Sequence, residues 1–153
     1  MPVFILLSLF VVVIDQLLKL AIVHNMKIGE SVEIFSGVLS LTSHRNSGAA
    51  FGILQNQIWF LITVTAIVII AMGYYLRKIH HSNKMAAFGL SLVLGGAVGN
   101  FADRIIRREV VDMIEVCFID YPIFNLADTF IFIGCVFLLF GLWKTPAKGV
   151  FKE

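Results

Sequence analysis

The sequence predicts an all-α membrane protein of four transmembrane helices, with a short β hairpin lying at one membrane surface. Three observations carry that expectation. The 153 residues are 59% hydrophobic with a mean hydropathy of +0.92, and only 14% are charged; lipid-embedded chains have this composition and water-soluble domains do not. Four stretches (3–23, 58–76, 85–102 and 122–143) are long enough to cross about 30 Å of hydrocarbon as helices. Finally, Asp112 in VVDMIEV and Asp128 in FNLADTF fall where so apolar a chain has little room for charge. A carboxylate at membrane depth costs roughly 2.5–3.5 kcal/mol on insertion scales, so it faces a protein cavity and has a task there. At this length residues 1–153 form a single domain.

The first span has no basic residues ahead of it and contains Asp15, so it reads as a retained helix rather than a cleaved signal segment. Asp15 and Lys19 stand four apart and share a helix face. They serve either as a neutralising pair snorkelling to the outer surface or as a support that orients substrate. In both cases they point inward. The outer segment 24–57 is too long for a bare loop. Residues 32–35, a Ser36-Gly37 turn and residues 38–44 read as the hairpin, and the NSGAAFG that follows lets backbone pass close to another group.

Between the second and third spans, RKIHHSNK carries Arg77, Lys78 and Lys84; the tail carries Lys144, Lys148 and Lys152. These predict that the loop and both termini are cytoplasmic. The opposite side holds Lys27, Arg45, Arg104, Arg107 and Arg108, which weakens the asymmetry. In the third span Gly95, Gly96 and Gly99 offer a small-residue face for close helix approach. Asn100, Asp103 and Arg104 share one face at its end, with Arg104 expected to pair with Asp103 or with a lipid phosphate. The outer segment 103–121 mixes apolar pairs with charge and reads as an interfacial lid. Asn125 and Asp128 open the fourth span three apart, so Asn125 is expected to hydrogen-bond a carboxylate pair and fix its geometry.

Depth alone singles out Asp128, several residues inside the last apolar run. Asp112 reads on spacing as one loop carboxylate among Asp103, Glu109, Glu115 and Asp120, all expected to be solvated. If the two meet, they form a dyad sharing a proton, which is acid–base machinery.

Other chemistries find less support. A net charge of +2 without a basic stripe disfavours nucleic acid. Cys117 and Cys135 lie at different depths and are expected to be free packing residues; with the dispersed His24, His44, His80 and His81 they offer no metal site. HExxH, GxSG and GxGD are missing, which disfavours zinc, serine and presenilin-like intramembrane proteases. On residue chemistry alone an acid–base enzyme, an ion-coupled carrier and a scaffold packing through its glycine-rich span all remain open.

The ordered blocks DQLLK, N-S-GAAFG, GGAVGNFADR, VVDMIEV and FNLADTF resemble lipoprotein signal peptidase, the bacterial type II signal peptidase, from about Asp15 to Asp128. The resemblance implies an aspartic endopeptidase without cofactor or metal, in the bacterial cytoplasmic membrane. It would cut diacylglyceryl-prolipoproteins before the lipid-bearing cysteine, near the outer face, as a monomer among membrane lipids and sensitive to globomycin. By motif, Asp112 and Asp128 would be catalytic, with Asp15, Lys19, Asn46, Gly48, Asn100, Asp103, Arg104 and Asn125 in binding or support. It also implies that the hairpin belongs to a β-sheet cradle outside the membrane. Met113 stands where Phe is common in the family.

Overall fold

A backbone in hydrocarbon has to satisfy its own hydrogen bonds, and the long apolar runs do so as helices. The computed structural model describes residues 1–48 and 53–144, as α1 (Pro2–Asn25), β1 (Ser31–Phe35), β2 (Leu39–Asn46), α2 (Ile58–Ile79), α3 (Lys84–Arg107), β3 (Val110–Val116) and α4 (Leu126–Lys144). Lys148, Lys152 and the AAFG of the small-residue motif lie outside the described residues.

The least apolar helix, α3, stands at the centre and packs against the other three. It carries more buried residues than any other helix, whereas α1, α2 and α4 turn Phe10, Ile67, Ile70, Phe132 and Leu139 outward. That inside-out distribution suits lipid as the surrounding solvent. Helices come together there through packing and small residues rather than through apolar burial. Gly95 and Gly96 point to different partners: a Cβ on Gly95 would meet the Ser8 carbonyl of α1 at 2.7 Å, and one on Gly96 the Ala127 carbonyl of α4 at 2.5 Å. The Ser8 hydroxyl adds a 2.8 Å bond to the Ser91 carbonyl.

At one end of the bundle Met1 and Phe4 pack on Leu76, Ile79 and Ala86, so the start of α1, the α2–α3 turn and the end of α4 (Leu142) lie together. Asn83 caps α3 there, accepting from the Ala86 amide at 2.9 Å. At the other end sits an antiparallel sheet of order β1-β2-β3. Its buried side rests on α1 through Ile22, Val111 and Met113. Gly37, at φ +67°, turns β1 into β2.

Several boundaries correct the sequence reading. The third helix continues past 102 to Arg107, held by the Asp103–Arg107 ion pair and ending at Arg108 in a left-handed conformation. Residues 110–116 form a strand rather than an interfacial lid, because Val110, Val111, Ile114 and Val116 suit a pleated surface and β2 supplies the partner edge. The fourth helix starts at Leu126 rather than at 122. Phe124 is drawn into extended pairing with Ile114, with bonds of 2.8 and 3.0 Å. Cys117 and Cys135 are both free.

Candidate functional site: an aspartate pair at the sheet end of the bundle

All ten residues singled out in the sequence join one hydrogen-bonded network where α1, α3, α4 and the sheet meet. It is built outward from Lys19. That ammonium is fully buried and spends its three protons on Asp15 Oδ2 at 2.9 Å, Asp103 Oδ2 at 3.0 Å and Asn100 Oδ1 at 2.8 Å. Arg107 reaches Asp103 Oδ1, so two cations balance two carboxylates. A buried ion cluster is tolerable only when every member is satisfied in this way. The Asp15–Lys19 pair therefore does not snorkel: both side chains are enclosed.

These ions also fix the backbone around the two aspartates. Asp15 Oδ1 accepts from the Ala127 amide at 2.9 Å and so satisfies one of the buried N–H groups in the first turn of α4. Gly99 makes room for that carboxylate, since a Cβ there would lie 2.6 Å from Asp15 Oδ2. Asp103 Oδ2 accepts from the Val111 amide at 3.2 Å, fixing the strand one residue before Asp112. Asp103 was expected to be solvated and is fully buried. Nor does it pair with Arg104; adjacent helical residues point apart, and Lys19 and Arg107 occupy its oxygens instead. Arg104 donates to the Gly48 carbonyl at 3.1 Å and the Asn100 carbonyl at 3.3 Å.

Asp128 occupies the third position of α4 and makes a reciprocal cap with Asn125. Its amide donates to Asn125 Oδ1 at 2.9 Å, and its Oδ2 accepts from the Asn125 amide at 3.3 Å. Oδ1 of Asp128 accepts from Asn100 Nδ2 at 2.8 Å. The Asn125 side chain then donates to Asp112 Oδ1 at 2.7 Å and to Asn100 Oδ1 at 3.1 Å. Asp112 Oδ2 accepts from Asn46 Nδ2 at 3.1 Å, and Asn46 is itself held by the Gly48 amide at 2.9 Å.

The depths of the two aspartates reverse the expectation. Asp112 is 2% exposed, whereas Asp128, in the first turn of its helix, is half-buried. Burial pushes the Asp112 carboxyl up to about 6, the charge of Asp128 adds to the rise, and the bonds from Asn46 and Asn125 with the Lys19 charge oppose it. One residue at the bottom holds a proton readily; its neighbour stays in reach of water.

Both open into a cavity of about 840 Å³. Its polar wall includes His44, Asn46, Asn100 and Arg104; the stretch from Asp120 to Phe124 forms a second side; and Ile131, Phe132 and Cys135 continue it down α4 as an apolar slot. Among the described residues no group of three His, Cys, Asp or Glu is placed to hold a metal ion. Sequence reading overlooked Gln16, whose Nε2 reaches the Gly99 carbonyl at 3.1 Å and Asp103 Oδ1 at 3.2 Å. A third polar residue beside Asp15 within an apolar span was the available signal.

A family model described as signal peptidase (SPase) II matches residues 7–144. Two solved structures, each described as a bacterial membrane enzyme studied by the in meso method, are similar throughout. One is 40% identical with a TM-score of 0.90, covering 100% of this chain and 94% of its own. The other is also 40% identical, with a TM-score of 0.86, covering 95% and 96%.

Proposed function

The chain belongs to the signal peptidase II family of aspartic-type membrane hydrolases, which remove lipoprotein signal peptides, and we propose that Asp112 and Asp128 are its catalytic pair. The observation that carries this is the Asn125 side chain, which touches both: it donates to the Asp112 carboxyl and accepts from the Asp128 amide. Two carboxylates around one amide, buried to different depths, divide naturally into an acid and a base.

Asp128, half-buried and held by Asn100, acts as the ionised base. It takes a proton from a water molecule in the cavity, and the water oxygen attacks the scissile carbonyl carbon. Asp112, whose burial favours the protonated form, donates its proton to the carbonyl oxygen as the tetrahedral diol forms. The C–N bond then breaks; Asp128 returns its proton to the leaving nitrogen, and one diol hydroxyl returns a proton to Asp112 as its oxygen becomes the carbonyl of the new carboxylic acid. No covalent intermediate is needed.

The substrate is a diacylglyceryl-modified prolipoprotein, cut before the lipid-bearing cysteine. The apolar slot along Ile131, Phe132 and Cys135 suits acyl chains reaching in from the bilayer. Asp15, Lys19, Asn46, Gly48, Asn100, Asp103, Arg104 and Asn125 support the pair through their bonds to it and to one another. Arg77, Lys78 and Lys84 lie at the end of the bundle that also holds Met1 and Leu142. This supports cytoplasmic termini and an active site near the outer face of the bacterial membrane. The chain acts as a single-domain monomer, and a globomycin-type cyclic peptide occupies the same cavity.

Purified protein incubated with a diacylglyceryl-prolipoprotein peptide tests this by gel shift. Cleavage that globomycin blocks is expected; folded protein that leaves intact a substrate cut by a control enzyme would overturn the proposal.

A further inference from the structure

Asp112 has a second neighbour that the network leaves unused. In the β2–β3 ladder the Cα partner of Asp112 is His44, followed by Arg45 opposite Val111 and Asn46 opposite Val110. Directly opposed residues of an antiparallel pair project to the same face, with Cβ atoms about 4.5–5.5 Å apart. Side chains two apart on a strand also share a face. Asn46 proves which face this is, because its amide reaches Asp112 Oδ2 at 3.1 Å. His44 therefore projects from the same face as Asp112, on the strand that flanks β3 opposite the Phe124 pairing, and it lines the same cavity. It is exposed, and among the described residues no side-chain hydrogen bond or ion pair engages it. The side chains of Asp112, Asn46, Asn100 and Asn125 around it are all spent on protein partners, whereas the His44 ring keeps its hydrogen-bonding capacity for a ligand.

We propose that His44 is a substrate-binding residue whose ring N–H donates to a carbonyl oxygen of the bound peptide on the β2 side of the scissile bond. This rests on the assignment of Asp112 and Asp128 as the catalytic pair. An extended chain advances about 3.3 Å per residue. A ring roughly 5 Å across from Asp112 therefore meets a carbonyl one or two residues from the bond being cut. A group there binds the ground state and the transition state alike, so it sets KM and leaves the chemical step alone. A single such bond is worth roughly fivefold to tenfold in binding.

The test is saturation kinetics on the diacylglyceryl-prolipoprotein peptide for the wild type, His44→Ala, His44→Phe and His44→Gln, with melting temperatures measured alongside. Expected are a KM raised roughly fivefold to tenfold in the Ala and Phe variants, kcat within about twofold of wild type, and recovery of most of the KM in His44→Gln, which keeps a donor. If His44→Ala does not fold, the Phe and Gln pair reads the same quantity. A KM unchanged in the Phe variant overturns the inference, as does a fall in kcat with KM unmoved. Wild-type protein that leaves the peptide uncut overturns the underlying assignment instead, so the two failures are distinguishable.

Discussion

Asn125 joins the two aspartates through one amide group: its Nδ2 donates to Asp112 Oδ1 at 2.7 Å, and its Oδ1 accepts the Asp128 backbone N–H at 2.9 Å. The same residue caps α4 and orients the Asp112 carboxyl, so helix geometry and site geometry are set together. Asn125→Ala removes both bonds. The cap loss is expected to cost about 1 kcal/mol of stability. Cleavage is expected to fall much further, on the order of 100-fold in kcat/KM, because the carboxyls lose their fixed relation. Parallel melting and turnover measurements check this; a rate loss no larger than the stability loss explains would show that orientation is not its role.

Lys19 and Arg107 both pair with Asp103, yet at different burial. Lys19 is fully enclosed among three acceptors, and Arg107 is 19% exposed. Removing one member of a buried ion cluster strands the others and costs about 3–5 kcal/mol. Lys19→Met is therefore expected to lower the melting temperature sharply and reduce the amount of folded protein recovered from membranes. Arg107→Met, whose site water can reach, is expected to cost less. Equal losses would contradict the placement of Lys19 at the centre.

The raised Asp112 carboxyl has consequences for stability and rate. Unfolded, this group releases its proton near 3.8; folded, it holds it to about 6. Stability from this group is complete below 3.8 and is lost as pH rises through about 6, a change of about 3 kcal/mol. Melting temperature against pH is expected to show that decline in the wild type and a flatter profile in Asp112→Asn. The proposed mechanism, in which Asp112 donates the proton, also predicts that kcat/KM falls above an apparent pKa near 6. A rate still rising through about pH 8 would assign the acid elsewhere.

The four helices were legible because lipid demands continuous apolar runs, and those runs leave a plain trace in composition. So was the inward placement of Asp15 and Lys19, whose spacing of four fixes a shared face. The strand at 110–116 was hidden, since its pairing with β2 joins residues such as His44 and Asp112 that are distant in sequence. For the same reason the relative depths of Asp112 and Asp128 were misread. Hydropathy assigned 122–125 to the last helix and left Asp128 deep, whereas the pairing of Phe124 with Ile114 draws that segment out and puts Asp128 in the first turn. The Arg104–Asp103 pairing was misread because competition for Asp103 from Lys19, on another helix, has no local signature.

The most direct test of the central claim is single-turnover cleavage of a diacylglyceryl-prolipoprotein peptide by Asp112→Asn and Asp128→Asn. Melting temperature and globomycin binding would be followed on the same preparations. Both variants are expected to fold and to bind the inhibitor while cleaving roughly 1,000-fold or more slowly than wild type, the order of loss when an acid or base is removed. Cleavage within about tenfold of wild type by either variant would remove that aspartate from the pair, and the proposed mechanism would fall with it.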